Sequence, residues 1–95
     1  MGSYFVYIIT NRINTVLYTG FTGDLVHRVC QHKSGTYDGF SKKYKCHKLV
    51  WYDEFPDAMS AIEAEKRIKK WKREYKINLI TKLNPEWRDL YLDII

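Results

Sequence analysis

The sequence predicts an α/β (α+β) fold in which helices flank a small three-stranded antiparallel sheet. Three short runs are dense in aromatic and β-branched residues, which is typical of strands. Other stretches place apolar residues at helical spacing. Because the 95 residues contain no internal repeat and no linker, we expect a single domain over residues 1–95.

The composition is that of a soluble protein with an excess of basic residues. Hydrophobic residues make up 45% of the chain, and no apolar run approaches the roughly 18 residues that span a membrane. No signal peptide is visible, so the chain is expected to be cytoplasmic and to have no membrane partner. The 16 Lys and Arg against 11 Asp and Glu give a net charge of +5, which fits a polyanionic partner.

Three segments are predicted to be strands. Residues 4–10 and 15–21 are rich in aromatic and β-branched side chains, and residues 48–55 carry a central apolar run. Residues 11–14 connect the first two segments and have asparagine at both ends, which suits a hairpin. Residues 36–47 are polar, basic and rich in turn formers, so we expect a loop there.

The pairing of the first two strands determines where two tyrosines lie. If Thr10 pairs with Thr15, Tyr7 falls directly opposite Tyr18, with Cβ atoms about 4.5–5.5 Å apart. Both phenols then stand on one face of the sheet. Gly20 lies on the same face, and its missing side chain leaves room for a ligand.

The first predicted helix follows the hairpin. Thr22-Gly23-Asp24 offers capping side chains, and Ser34-Gly35 closes the helix. Arg28 and His32 are spaced i, i+4, so they lie together at the edge of the apolar stripe, whereas His27 points away. A histidine at such a border is often structural, and the helix alone leaves that alternative open.

The C-terminal half predicts three further helices. Asp57 is the expected N-cap of a long helix that runs to about Arg73, and a second helix covers about residues 75–82. Asn84-Pro85 is expected to begin a last short helix, because asparagine at the N-cap and proline at the first helical position are ordinary start signals.

Glu65 interrupts the apolar pattern of the long helix. It falls between Ala61 and Ile68 in the apolar sector, where a carboxylate is costly unless it is paired or bound to a metal. An ion pair with Lys69, or with Lys72, explains it without a function. A metal ligand or a catalytic acid is the alternative, and the helix by itself leaves both interpretations open.

Basic residues are concentrated in EKRIKKWKREYK, which holds seven Lys and Arg and two aromatic residues in twelve positions. Such a stripe suits a phosphate backbone, and a solvated helix face with internal ion pairs is the alternative. The lysines expected to contact phosphates are Lys42, Lys43, Lys69 and Lys72.

An ordered set of polar residues resembles the GIY-YIG nuclease superfamily: Tyr7 in FVY, Tyr18 in YTG, Arg28, His32 and Glu65. The tyrosines match the family's two motifs, and Glu65 matches its metal-binding glutamate. The resemblance covers nearly the whole chain and is closest to the small stand-alone bacterial members, whose role is poorly defined. Two positions depart from the pattern, because the first motif keeps only its tyrosine and Thr19 replaces the isoleucine of the second.

The resemblance implies a GIY-YIG-like fold and a metal-dependent endonuclease that hydrolyses DNA with little sequence specificity of its own, in repair or recombination. Glu65 would hold Mg²⁺ or Mn²⁺, and Arg28 would neutralise charge on the phosphoryl oxygens. Tyr7 would be the base for the attacking water, with Tyr18 and His32 orienting it. Because an unperturbed tyrosine has a pKa near 10, the site must lower that pKa by about 3 units or pass the proton to His32.

The resemblance also implies roles for an asparagine and for Gly20, and other functions stay open. Asn84, or Asn78 in its place, would match a family asparagine, with helix capping as the structural alternative for Asn84. Gly20 would support the site. A nucleic-acid-binding domain without activity and a protein-interaction module are the alternative functions. DNA is the expected partner, and a targeting protein is left unidentified.

Overall fold

The aromatic and β-branched runs form a three-stranded antiparallel sheet in the computed structural model of the chain, which describes residues 3–37 and 39–95. The strands are β1 (Tyr4–Thr10), β2 (Leu17–Thr22) and β3 (Lys48–Phe55), and their order in the sheet is β2-β1-β3. The predicted fold class is therefore confirmed. In this order β2 is an edge strand, with a neighbour on one side only.

The described residues form the helices α1 (Leu25–Ser34), α2 (Phe40–Lys43), α3 (Ala58–Lys69), α4 (Arg73–Leu83) and α5 (Tyr91–Ile94). Asp24 starts α1 by accepting a hydrogen bond from the N–H of His27, as its capping position predicts. Asp57 starts α3 in the same way, with the N–H of Ser60. None of the helices in residues 3–37 and 39–95 has both the length and the apolar character that a membrane crossing requires.

The helices cover both faces of the sheet. On one face, α3 and α4 pack on a core that includes Val6 and Ile8. On the other face, α1 and the C-terminal segment pack on a core that includes Tyr7 and Ile9. The alternation of side chains along β1 thus places α1 directly over Tyr7.

The hairpin register differs from the prediction by two residues. Tyr7 lies opposite Gly20 and not opposite Tyr18, which pairs with Ile9. Because side chains alternate with a period of two, this shift leaves both phenols on one face. Their rings are diagonal neighbours, with centroids 6.4 Å apart.

The side chain of Asn11 explains the shift. Its Oδ1 accepts hydrogen bonds from the backbone N–H groups of Thr15 and Val16, at 2.8 and 3.1 Å. The N–H groups of these two residues therefore bond to the loop side chain and not to the backbone of β1, so β2 begins at Leu17. Asn14 completes the turn in the left-handed conformation, with a φ of 61°.

The predicted end of the long helix is also wrong. The N–H of Lys70 bonds to the carbonyl of Arg67, three residues back, and the N–H of Trp71 bonds to that of Ile68. These short-range bonds tighten the last turn and end the helix. The next helix starts at Arg73, earlier than expected.

Two further boundaries depart from the prediction. The expected loop at 36–47 contains α2, whose four residues are too few to show a helical period. Asn84 ends α4 and does not start a new helix, because its amide bonds to the backbone of Val50 and of Arg88. The last helix begins only at Tyr91.

Gly20 lies directly beneath the ring of Tyr7. A Cβ atom added at Gly20 would be 2.4 Å from both Cζ and Oη of Tyr7. The predicted room for a ligand beside Gly20 is therefore wrong, because the tyrosine ring fills it. That ring has no exposed surface and its hydroxyl is hydrogen-bonded, so it has no free space into which it can move.

Gly20→Ala should destabilise the fold by about 1–3 kcal/mol, the usual cost of overpacking a buried site. Chemical denaturation at equilibrium measures this change. Gly23→Ala is the matched control, because a Cβ atom there would meet the Tyr4 ring at 3.7 Å, an ordinary contact distance. Equal stabilities of the two variants would contradict the close approach of Tyr7 to Gly20.

Candidate active site

Tyr7 and His32 form a buried pair at the centre of the site. His32 lies near the end of α1 and points at the phenol from the helix above it. The Tyr7 hydroxyl and His32 Nε2 are 2.9 Å apart, and His32 Nδ1 is hydrogen-bonded to Ser41 Oγ at 2.8 Å. Exposed fractions of 0% for Tyr7 and 2% for His32 show that the pair is shielded from water.

Arg28 lies one turn before His32 on the same side of α1, as the i, i+4 spacing predicts. Its Nη1 donates to the Tyr37 hydroxyl at 3.2 Å and to the carbonyl of Phe21 at 3.4 Å. Arg28 is also close enough to Tyr7 to lower the pKa of its hydroxyl. A single cation is thus held against two phenols of the site.

Tyr37 covers the Tyr7–His32 pair from the connection between α1 and α2. Its ring meets the His32 ring edge-on at a centroid distance of 4.7 Å, and Cζ of Arg28 lies 4.5 Å from its centre. Tyr37 and Ser41 are absent from the predicted set of site residues. Both lie in a segment without sequence periodicity, so only the contacts of the folded chain identify them.

Tyr18 lies at the outer side of the cluster and is half-buried. Its ring centroid is 5.6 Å from that of His32 and 6.1 Å from that of Phe40. The two motif tyrosines therefore have different surroundings, because Tyr7 is enclosed and Tyr18 borders solvent.

The site raises the pKa values of both motif tyrosines. Burial raises the pKa of Tyr7 above its ordinary value of 10, and the nearby Arg28 offsets this only in part. Burial, with a smaller contribution from Tyr37, raises the pKa of Tyr18 to about 12. Of the two alternatives for Tyr7, a pKa lowered by nearby groups does not hold for the protein alone, because burial has the larger effect.

His32 is neutral at pH 7. Burial, and next the positive charge of Arg28, lower its pKa to about 4. A neutral imidazole has one nitrogen free to accept a proton. When Nδ1 donates to Ser41, Nε2 is the acceptor that faces the hydroxyl of Tyr7.

Glu65 approaches the site around the β2 edge of the sheet. It lies on α3, on the opposite face of the sheet from α1, yet its charge contributes to the raised pKa of Tyr18. Its Oε2 is 2.6 Å from Nζ of Lys69, and that Nζ is 6.0 Å from the ring of Tyr18. The Glu65 side chain is 14% exposed and that of Lys69 is 50% exposed, so the pair forms the solvent rim of the site.

One carboxylate is the donor that this rim offers to a metal. Within residues 3–37 and 39–95, no group of three or more His, Cys, Asp or Glu could hold an ion among them. Mg²⁺ suits such a site, because it commonly keeps several waters and binds through one or two carboxylates. Lys69 is paired with Oε2 of Glu65, so a cation at this rim would have to share the carboxylate with Lys69 or displace it.

The two asparagines occupy different places. Asn84 is 4% exposed, its Nδ2 donates to the carbonyls of Val50 and Arg88, and its Oδ1 accepts from the N–H of Arg88. These bonds hold the end of α4 to β3. Asn78 is exposed on α4, in a cleft that Trp71 also lines.

The predicted phosphate-binding lysines lie on two sides of the site. Lys42 and Lys43 belong to α2, which Ser41 ties to His32. Lys69 lies at the rim, and Lys72 is exposed immediately before α4.

Comparisons with known proteins identify the family of the chain. The sequence profile of the GIY-YIG catalytic domain matches residues 3–78. A UPF0213 protein of Syntrophus aciditrophicus is 36% identical over 87 residues, which cover 90% of this chain and 98% of the relative. A UPF0213 protein of Staphylococcus haemolyticus is 30% identical over 80 residues, 84% of this chain and 96% of the relative.

A solved structure is also similar. The solution NMR structure of the UPF0213 protein BH0048 from Bacillus halodurans aligns with a TM-score of 0.58 and 25% identity, over 92% of each chain. The match of the domain profile to most of the chain, together with relatives of nearly the same length, confirms the resemblance derived from the tyrosines, Arg28, His32 and Glu65. The chain therefore belongs to the GIY-YIG family.

Proposed function

We propose that this protein is a metal-dependent endonuclease that hydrolyses phosphodiester bonds of DNA with little sequence specificity of its own. The observation that carries the proposal is the buried Tyr7–His32 pair beside Arg28, with Glu65 at the rim. Phosphodiester hydrolysis needs a proton acceptor for water and a cation for the phosphoryl oxygens, and this cluster supplies both. The net charge of +5 favours nucleic acid as the partner.

Arg28 would bind the scissile phosphate. Its planar guanidinium suits two phosphoryl oxygens at once, and it already donates to the hydroxyl of Tyr37. A phosphate oxygen is a stronger acceptor than a neutral phenol, because the bond is charge-assisted on both sides. The phosphate would therefore replace Tyr37 as the partner of Arg28 and open the path to Tyr7.

Tyr7 and His32 would act as one proton-accepting unit. The Tyr7 oxygen takes a proton from the attacking water while its own proton passes to His32 Nε2 across the 2.9 Å bond. The resulting hydroxide attacks phosphorus, and the leaving oxygen departs on the opposite side. This relay avoids a free phenolate, which the raised pKa of Tyr7 disfavours.

The bound phosphate would also make His32 a better base. Arg28 is one cause of the low pKa of His32, and a phosphate on the guanidinium offsets that positive charge. Tyr18, at the outer side of the cluster, would orient the water. His32 would thus gain proton affinity only when substrate is in place.

Glu65 would hold the divalent metal, Mg²⁺ or Mn²⁺, together with water ligands. When bound, the metal supplies Lewis-acid stabilisation of the phosphate oxygens. Lys69 neutralises Glu65 in the protein alone and would turn to a flanking phosphate when a cation takes the carboxylate. Lys42, Lys43 and Lys72 would add further phosphate contacts.

The proposed function is tested by nicking of supercoiled plasmid with Mg²⁺ or Mn²⁺. Nicking should stop with chelator and in Glu65→Ala. Arg28→Ala and Tyr7→Phe should each lower the rate by about a hundredfold or more, the usual effect of removing one transition-state contact.

The matched controls for the nicking assay are His27→Ala and Glu63→Ala. Both side chains are exposed, one on α1 and one on α3, so their loss should change the rate little. Nicking that persists in Glu65→Ala would come from a contaminating nuclease and would refute the assignment. Binding of DNA without nicking by the wild type would identify a non-catalytic domain.

The low pKa of His32 predicts a loss of stability in acid. The unfolded chain binds a proton near pH 6.5, whereas the folded chain resists protonation until about pH 4. The contribution of His32 to the free energy of unfolding is therefore complete above pH 6.5 and declines as the pH falls towards 4. The loss should reach about 3 kcal/mol over that window.

Urea denaturation at a series of pH values measures this loss. His32→Gln should show a shallower decline than the wild type between pH 6.5 and 4, because the residue that takes up the proton on unfolding is gone. His27→Gln, which removes an exposed histidine of the same helix, is the matched control. Parallel curves for His32→Gln and wild type would show that His32 already titrates freely in the fold.

Glu65→Gln should change the free energy of unfolding by less than about 1 kcal/mol in chelator. Its partner Lys69 is half exposed and can turn to water, so the pair has the value of a surface i, i+4 pair. Mg²⁺ should stabilise the wild type but not the variant. Glu63→Gln is the control, and a loss of several kcal/mol in Glu65→Gln alone would indicate a structural ion pair.

A further inference from the structure

A basic cleft lies beside the candidate site. It has a volume of about 490 Å³ and opens between the β1–β2 loop and the segment that joins α2 to β3. Its cations are Arg12 from the loop, Lys45 from the segment, Lys48 at the start of β3, and Lys33 from α1. None of these residues belongs to the phosphate-binding set predicted from the sequence.

The charges of this cleft are only partly neutralised. Asp89 is its acidic residue, and it forms an ion pair with Lys33. In the part of the chain that the structure describes, Arg12, Lys45 and Lys48 form no ion pair with a carboxylate. Three cations that face one concave surface repel each other, and an anion between them relieves that repulsion.

Two exposed aromatic residues connect the cleft to the site. Tyr44 lines the cleft, and its ring centroid is 4.6 Å from that of Phe40. Phe40 in turn lies 6.1 Å from Tyr18, at the outer side of the site. Exposed fractions of 48% for Phe40 and 42% for Tyr44 leave ring surface open to solvent. Aromatic surface next to cations is a common arrangement where proteins bind nucleic-acid strands.

We infer that the strand flanking the scissile phosphate crosses Phe40 and Tyr44 and enters this cleft, where Arg12, Lys45 and Lys48 bind its phosphates. This inference rests on the proposed function, because it takes Arg28 as the position of the scissile phosphate. The cleft then acts as a second phosphate subsite that only a strand of several nucleotides can reach. A small anion that binds the cleft alone is the competing occupant.

The length of the nucleic acid provides the test. Fluorescence anisotropy in chelator compares labelled oligothymidylates of about four and about sixteen nucleotides. The wild type should bind the long strand much more tightly than the short one. Arg12→Glu combined with Lys45→Glu should weaken binding of the long strand at least tenfold and change that of the short strand less than about threefold, because only the long strand reaches the cleft.

Two control variants separate the cleft from general charge. Lys66→Glu combined with Arg67→Glu makes the same change in net charge as the cleft variant, but on the exposed side of α3. The long strand should therefore still bind more tightly than the short one, as in the wild type. Phe40→Glu, in the path of the strand, should weaken binding of the long strand more than Met59→Glu, which is 71% exposed on α3. An equal loss for both strand lengths in the cleft variant, or an equal loss in the α3 variant, would overturn the inference.

Failure of the proposed function remains distinguishable from failure of this inference. Chelator removes the metal, so the binding measurements do not depend on cleavage. Absence of nicking together with loss of the length advantage in the cleft variant would refute the nuclease and support the strand path. Nicking with an unchanged length advantage would refute the path alone.

Discussion

The hydrogen bond between the Tyr7 hydroxyl and His32 Nε2 is the contact on which the site depends. It joins the central strand to α1, and the second nitrogen of His32 joins both to Ser41 on α2. Both rings are buried, so an unpaired polar group on either side would cost about 1–3 kcal/mol. The segment that carries Tyr37 and Phe40 is therefore held in place by the same pair that is proposed to move the proton.

The sheet order explains how residues from opposite faces meet. Tyr7 lies under α1, and Glu65 lies on α3 across the sheet. Their proposed joint action is possible because β2 is an edge strand, and α3 packs against the sheet close enough to that edge for Lys69 to approach the ring of Tyr18. If β2 were a central strand, the strand beyond it would lie between the carboxylate of Glu65 and the phenols.

Features with a local cause are the ones that could be predicted from the sequence. The shared face of Tyr7 and Tyr18 follows from the period of a strand, and the alignment of Arg28 with His32 follows from the period of a helix. Both periods are properties of short stretches of chain. For Glu65 the sequence leaves both an ion pair and a metal or catalytic role open, because the choice between them depends on burial by elements distant in sequence.

The features that escaped prediction have non-local or side-chain causes. The strand register follows from hydrogen bonds of the Asn11 amide to two backbone N–H groups, which no pattern of hydrophobicity records. Tyr37 is a site residue only because Arg28 and His32 lie against its ring. The raised pKa of Tyr7 results from complete enclosure, which requires the whole fold.

The absent side chain at Gly20 has a consequence for strand alignment. A slide of the β1–β2 pairing by two residues keeps every side chain on its face, so the apolar pattern does not oppose it. Such a slide would bring Tyr18 or Thr22 opposite Tyr7, where even a Cβ atom lies too close to a ring that reaches His32. Gly20 thus fixes the register of β1 and β2, because Tyr7 can extend towards His32 only when a residue without a side chain lies opposite it.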